Sequence, residues 1–376
     1  MKLLATVFVA LLTGLSAFAF DTQVKGFLAL DLMNVRAIEY QRAAPDVTAG
    51  VGAFDLKFFA EQERLTLKIK LDLDGTELNY YNIFEEVTAR YRLTDMVSFE
   101  AGKGVIYFHQ KHWGVLEASY YDSGSILGAN NSWRDQDNKL LTVINFGSYQ
   151  QRFINHFTFY GSSSAPNRNP DGTLIYNTDG TKKYFNQKSF RSKYERGFAD
   201  QIEFFPTKEL SLAIGGVHYW SQVNPQRSWA LDTNGEYKSD LWQFWWEYLY
   251  GFTSQDEDAA SYARPLQWEQ VAQIGAEYSI NELYSALLDI EGCWAHGAEY
   301  PHKITANGKT TIDANRRGQS SKVTNYKVDL GTKIKLYPSA FMTLGVAGEL
   351  KNMRESDRPD KTIRAAEAAA KLSWWF

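Results

Sequence analysis

The feature that most restricts the fold of this chain is a strict alternation of apolar and polar residues, which recurs from one end to the other. In RLTLKIKLDLDG (64–75), leucine and isoleucine occupy the odd positions, whereas threonine, lysine and aspartate occupy the even ones. The segments 84–93, 240–252, 285–296 and 366–376 repeat the pattern. A period of two places successive side chains on opposite faces of an extended strand. The sequence therefore predicts an all-β protein whose strands each have one apolar and one polar face.

The first nineteen residues have the composition of a secretory signal peptide. Lys2 precedes an apolar run over residues 3–15, and Ala17-Phe18-Ala19 forms an A-x-A cleavage site. We expect residues 1–19 to be removed and residues 20–376 to form the exported protein. Its one cysteine, Cys293, cannot form an intramolecular disulfide. The exported chain must therefore be held together by burial or by an extensive hydrogen-bond network.

The composition excludes two classes of protein. Aromatic residues make up 15% of the chain, yet its mean hydropathy is −0.39, so its apolar residues are thinly spread. After residue 19 no window of 18 or more apolar residues occurs, which argues against transmembrane helices. Removal of Lys2 leaves 39 basic against 44 acidic residues, a net charge of −5. This balance gives no reason to propose nucleic acid as a partner.

The connections between the predicted strands alternate in length. Short ones lie near Thr94, Tyr149, Pro206, Asn281 and Pro338, and long polar ones span 74–83, 107–138, 161–192, 297–322 and 353–361. Short turns at one end and long loops at the other are typical of an outer-membrane barrel, in which every backbone polar group is satisfied between strands. A soluble sandwich would show more regular turn signals and fewer inward charges.

We predict a closed antiparallel transmembrane β-barrel of about 16 strands, with short periplasmic turns and long extracellular loops. The number of strands depends on how segment 222–238 folds. It holds either a turn between strands at 227–233 and 236–252 or the tip of an outer loop, and the second reading gives 14 strands.

The A-x-A signal, the alternating strands and the terminal KLSWWF together resemble the bacterial porin class of outer-membrane proteins. This resemblance implies location in the outer membrane of a Gram-negative cell, in contact with lipid and lipopolysaccharide. It implies a homotrimer and passive diffusion of small hydrophilic solutes and ions through a water-filled pore. It also implies that the C-terminal strand, ending at Phe376, is recognised by the barrel assembly machinery.

The third outer loop of general porins folds inward and narrows the pore, and its counterpart here joins the fifth and sixth predicted strands at 107–138, which is rich in apolar residues for a loop. We expect this loop to pack inside the barrel. The predicted pore-lining bases are Lys57, Lys68, Lys70, Arg90 and Arg92. The predicted loop acids are Glu117, Asp122, Asp135 and Asp137. Bases facing acids would set a transverse field across the narrowest point.

Several alternatives stay open at this level. The wall bases can pair with wall acids such as Glu86 and Glu100 instead of the loop, and the loop can lie over the rim. The predicted lipid-facing aromatics are Trp242, Phe244, Trp246, Tyr248, Trp374 and Phe376. The motif HQKH (109–112) lacks a third ligand, so we predict no metal site and no cofactor. The chain has no G-x-S-x-G motif, and none of its six histidines stands in the setting of a catalytic triad, so we predict no enzymatic activity. A channel specific for sugars or anions, or a non-conducting structural or adhesive barrel, is the alternative to a general porin.

Overall fold

The computed structural model describes residues 21–39, 46–73, 84–108, 139–162, 164–166, 184–186, 195–221, 226–255, 266–297, 302–306, 309–313, 321–355 and 358–376. These residues form twenty β-strands and one short 3₁₀ turn at Tyr149–Gln151. Among them, no helix is long and apolar enough to cross a bilayer.

Sixteen strands form the barrel: β1 (Asp21–Ile38), β2 (Asp46–Gln62), β3 (Leu65–Asp72), β4 (Phe84–Arg92), β5 (Val97–Gly104), β6 (Lys139–Ser148), β7 (Phe153–Ser162), β10 (Glu195–Phe204), β11 (Leu210–Ser221), β12 (Gln226–Lys238), β13 (Trp242–Gln255), β14 (Leu266–Ser279), β15 (Tyr284–Gly297), β18 (Ser321–Tyr337), β19 (Ala340–Glu355) and β20 (Arg358–Trp375). Two hairpins stand apart: β8 (Ser164–Pro166) with β9 (Tyr184–Asn186), and β16 (His302–Ala306) with β17 (Lys309–Asp313).

Each barrel strand pairs antiparallel with the next one along the chain, and β20 pairs with β1 to close the ring. The prediction of a closed all-β barrel of about sixteen strands is therefore confirmed, and the fourteen-strand alternative is wrong. Closure leaves no free strand edge, so the ladder hydrogen bonds continue around the ring.

The last residue takes part in this closure. The backbone N–H of Gly26 donates to the carbonyl of Phe376 at 2.6 Å, and the N–H of Phe376 donates back at 3.0 Å. The Phe376 ring lies directly over Gly26, in the space that a Cβ would need. A glycine at this position of β1 thus lets the terminal aromatic ring lie flat on the neighbouring strand.

Segment 222–238 differs from the prediction in its boundaries. The residues LDTNG (231–235) suggest a turn, yet β12 runs through them without interruption and the turn follows at 239–241. Asp232 and Asn234 are polar because they face the interior, where the Asn234 amide donates to Asp232 at 2.6 Å. Gly235 faces outward and lies under the ring of Trp246. Interior polarity and aromatic packing, rather than chain reversal, account for these turn-type residues.

The two faces of each strand have opposite character. Along β13, Trp242, Phe244 and Tyr248 point outward and are 38–41% exposed, whereas the alternate residues Glu247 and Leu249 point inward and are 0–1% exposed. Most large exposed hydrophobic side chains of the other strands likewise lie on the outward face, and buried polar groups line the inward face. This is the reverse of a soluble protein and matches an apolar surrounding with a polar interior.

Candidate functional site

The chain turns into the barrel directly after β5. Ile106 is 2% exposed and Phe108 is fully buried. They belong to a cluster with apolar residues of eight other strands: Leu141, Val143, Tyr160, Ala199, Val217, Ala230, Leu249, Val271, Cys293 and Ala295. We call Val105–Phe108 the inward segment. It gives the interior an apolar layer on one side.

A glycine on the inner wall receives the end of this segment. A Cβ at Gly215 of β11 would overlap the carbonyl oxygen of Phe108. The adjacent Gly216 faces outward, and a Cβ there would be at an ordinary 3.5 Å from Leu231. In ring order β11 lies four strands beyond β5, past β6, β7 and β10. The inward segment therefore reaches across part of the lumen instead of following the wall at β5.

Tyr107 connects the inward segment to two barrel strands, β4 and β7. Its hydroxyl accepts a hydrogen bond from the Arg90 guanidinium at 3.0 Å, and its ring stacks on His156 with centroids 4.2 Å apart and planes 9° apart. His156 in turn lies 2.6 Å from the side-chain oxygen of Asn145. Burial, together with the Glu100 carboxylate nearby, raises the pKa of the Tyr107 phenol, which therefore stays protonated at neutral pH.

Four of the predicted pore-lining bases lie together on the inner faces of β2, β3 and β4. Lys57 stands opposite Lys70 in the β2–β3 register, and Lys68 lies two residues before Lys70. Arg90 occupies β4. The fifth base, Arg92, lies at the short-turn end, where its guanidinium donates to the Glu63 carbonyl at 3.2 Å. Arg92 thus lies two residues beyond Arg90 along β4, next to the turn.

Acids of the same wall pair with these bases. The ammonium of Lys68 contacts Glu86, and that of Lys70 contacts Glu85 as well as Asp55 at 3.1 Å. The Arg90 guanidinium donates two hydrogen bonds to Glu100, at 2.9 and 2.6 Å. The wall pairing that the sequence left open is therefore present. The loop acids Glu117, Asp122, Asp135 and Asp137 lie outside the described residues.

Sequence reasoning missed a set of buried acids on the other half of the ring. They are 0–5% exposed and lie on β12–β15, β18 and β20: Asp232, Glu247, Glu269, Asp289, Glu291, Asp329 and Glu367. Asp289, Glu291 and Asp329 bring ligand oxygens within 4.8 Å of one another, and the Lys327 ammonium lies 4.0 Å from Asp329. Their spacing at alternate positions of the strands was visible in the sequence, but the pairing of β15 with β18, which places Asp289 opposite Asp329, was not.

A cavity of about 490 Å³ lies beside the inward segment, near the short-turn end. Its charged lining comes from both halves of the ring, with Lys68, Glu86 and Glu100 on one side and Glu203 and Glu236 on the other. The rest of the lining is mixed, with polar groups such as Thr88, Gln201, Ser211 and Asn234 beside apolar ones such as Ile106, Phe205 and Leu212. The cavity therefore has both charged and apolar walls and has space for a small solute.

The predicted lipid-facing aromatics all occupy outward positions. Trp242, Phe244 and Tyr248 are exposed, and Trp246 of the same face covers Gly235. Trp374 and Phe376 are 48% and 50% exposed and pack against each other with ring centroids 5.2 Å apart. This places aromatic side chains near the short-turn end of the outer surface, the position of an interfacial girdle in membrane barrels.

The structure is similar to solved outer-membrane barrels. A loop L8 deletion mutant of OmpT, an outer membrane protein of Vibrio cholerae, has a TM-score of 0.55 at 12% identity, covering 95% of this chain and 100% of that chain. The outer membrane channel DcaP of Acinetobacter baumannii has a TM-score of 0.55 at 13% identity, covering 95% and 97%. A solved porin has a TM-score of 0.50 at 12% identity, covering 94% and 100%. No family model and no curated protein matches the sequence. At these identities the similarity concerns the fold, which is that of porins and outer-membrane channels.

Proposed function

We propose that this barrel, which has the porin fold, forms a water-filled channel in the outer membrane of a Gram-negative cell. Small hydrophilic solutes and ions would cross it by passive diffusion. The observation that carries the proposal is the inverted polarity of the closed ring, with aromatic and aliphatic residues outside and charged residues inside. A sixteen-strand barrel is wide enough to hold an aqueous path.

The inward segment supports a constriction made by the rest of loop 107–138. Phe108 ends the described part of this loop against Gly215 on the inner wall. We infer that the following residues stay inside the barrel, and that Glu117 and Asp122, with Asp135 and Asp137, contribute acids to the narrow region. Lys57, Lys68, Lys70 and Arg90 supply its bases. Removal of residues 1–19 as a signal peptide belongs to the same proposal.

Partners follow from the outer surface. We infer contacts with lipid and lipopolysaccharide around the exposed apolar band, and recognition of β20 by the barrel assembly machinery. A homotrimer is proposed because V. cholerae OmpT, whose fold this chain shares, was solved in a trimer form.

We infer a transport role rather than catalysis. In the described interior, His156 is held between Asn145 and the Tyr107 ring, an arrangement that fixes the imidazole instead of activating a nucleophile. Charged groups along the wall form ion pairs with one another, as Arg90 does with Glu100.

Single-channel recording in a planar bilayer tests the proposal. The full-length exported protein should give steady ohmic current steps, and the double variant Lys68→Glu/Arg90→Glu should shift the reversal potential in a salt gradient towards cations. Both side chains are more than a third exposed, so the permeating ions sense their charge. A non-conducting structural barrel gives no steps, and a solute-specific channel gives currents that its solute blocks. An unchanged reversal potential would show that these bases do not line the narrow path.

A further inference from the structure

An acidic side chain faces outward in the middle of β10. Asp200 alternates along this strand with Ala199 and Gln201, which point inward and are buried. It therefore lies on the same face as Phe198, one of the large exposed hydrophobic residues of the outer surface. Asp200 thus interrupts the apolar band that is proposed to meet lipid.

The depth of Asp200 in the membrane follows from its place in the strand. It lies four residues from Phe204, which ends β10 at the short-turn end and is exposed there. A strand rises about 3.4 Å per residue and tilts by about 35–45° in membrane barrels, so four residues correspond to about 10 Å along the membrane normal. The apolar band of such a barrel is about 25 Å tall. Asp200 is therefore close to the bilayer midplane, beyond the reach of lipid headgroups.

The barrel itself supplies a hydrogen bond to one oxygen of this carboxyl group. The side-chain amide of Asn155, on the outward face of β7, donates to Oδ1 of Asp200 at 2.6 Å. Within the described part of the chain, the second oxygen, Oδ2, has no hydrogen-bond partner. Ionisable residues at membrane depth face protein or a water-filled cavity far more often than lipid, because hydrocarbon offers them no partner. We therefore expect a donor from outside this barrel.

A second copy of the chain carries donors at the required depth. Copies of a membrane protein share one orientation, so their symmetry axis runs along the membrane normal, and a residue of one copy meets residues of the next at its own depth. Thr142 on β6 and Thr233 on β12 are exposed on the outward face, six and five residues from the short-turn ends of their strands. Both strands lie two places from β10 in the ring, so the hydroxyl groups flank Asp200 on either side. The outer face of β6–β12 is thus complementary to itself, with an acceptor between two donors.

We propose that the outer face of β6–β12, centred on Asp200, is the contact surface between copies of this chain. The hydroxyl group of the partner subunit's Thr142 or Thr233 would donate to Oδ2 of Asp200. By contrast, β20 lies eight strands from β10, and its outward residues at this depth are apolar: Ala368, Ala370 and Leu372. The inference rests on the homotrimer proposed above and names the face that forms it.

The mass of the full exported protein in detergent, measured by light scattering after gel filtration, tests the contact. The wild type should be a trimer. Asp200→Leu should raise the protein concentration at which half of the chains are monomeric roughly tenfold or more, the effect of losing one hydrogen bond to a charged group. Asp200→Asn keeps an acceptor oxygen and should retain more trimer than Asp200→Leu. If this face lies against lipid, Asp200→Leu leaves the mass unchanged and raises the unfolding midpoint, which would overturn the proposal.

Cross-linking tests the same face in a barrel that keeps Asp200, so it holds even if Asp200→Leu does not fold. Ile214 on β11 is outward, 55% exposed and diagonal to Asp200. The matched control is Val346, an outward residue of β19 that is 53% exposed and lies six strands away from β11. In a Cys293→Ala background, a bis-maleimide should link chains of Ile214→Cys in native membranes and leave chains of Val346→Cys unlinked.

The outcomes separate this inference from the proposals on which it rests. Links through Val346→Cys and none through Ile214→Cys would overturn the assignment of the face while keeping the homotrimer. A monomeric wild type with neither position linked would overturn the homotrimer itself and this inference with it. Single-channel conductance is a separate measurement, so the channel function stands or falls independently of both.

Discussion

Replacing Gly215 by valine tests whether the inward segment controls the width of the channel. The Phe108 carbonyl occupies the space of a Cβ at this position, so any side chain must push the segment off the wall. Valine suits a strand, which confines the perturbation to this contact. We expect the segment to detach from β11 while the barrel itself remains folded.

The size of the effect depends on the interactions that keep the inward segment in place. Burial of Ile106 and Phe108 contributes about 1.5–3 kcal/mol each. The hydrogen bond from Arg90 to Tyr107 adds about 1.5–3 kcal/mol, and the ring stacking on His156 adds about 0.5–1.5 kcal/mol. Ordering the backbone of Val105–Phe108 costs about 1–2 kcal/mol per residue. The net preference for the inward position is a few kcal/mol, and overpacking by about 1–3 kcal/mol is enough to reverse much of it.

The assay is single-channel conductance combined with liposome swelling by sugars of increasing size. Gly215→Val should raise the open-channel conductance or add a second, larger level, and should admit larger sugars. The control is Gly216→Val, which adds the same side chain one residue further along β11 on the outward face. If both variants conduct like the wild type and show the same size limit, the contact at Gly215 does not position the constriction. An equal change in both variants would indicate a general effect on β11.

Two further perturbations concern the barrel wall. Phe376→Ala removes the ring that covers Gly26 at the closing pair of strands, and should lower the yield of folded barrel and the temperature at which its heat-dependent electrophoretic shift occurs. A yield and transition temperature equal to the wild type would contradict this role. Gly275→Ala places a methyl group where the indole of Trp245 lies, and should destabilise the barrel by about 1–3 kcal/mol with a change in tryptophan emission. Gly348→Ala, which meets open space, is the control, and equal unfolding midpoints for the two alanine variants would refute the packing argument.

Local chemistry explains why the sequence predicted the barrel well. The period-two pattern of 64–75 is a property of neighbouring residues, and it correctly separates Leu67 and Ile69 from Lys68 and Lys70 on the two faces of β3. Turn residues mark strand ends in the same way. The Thr94 hydroxyl accepts from two backbone N–H groups at the β4–β5 turn. The residues LDTNG (231–235) wrongly suggested a turn, because polar residues that face the lumen have the same composition as a turn.

Long-range register explains what the sequence could not predict. The wall acids Glu86 and Glu100 pair with Lys68 and Arg90, because β3, β4 and β5 bring these residues opposite or diagonal to each other. The contact of Phe108 with Gly215 joins residues more than one hundred positions apart, so no local sequence pattern predicts it.

The sequence by itself determined the class of the fold, the approximate number of strands and the side of each strand that meets apolar surroundings. These depend on side-chain period and turn chemistry, which act over a few residues. Only the tertiary structure decided which charges face each other across the interior, where the chain enters the lumen, and which glycines accept an aromatic ring or a carbonyl. Those relations depend on how sixteen strands register and close, and closure is a property of the whole ring.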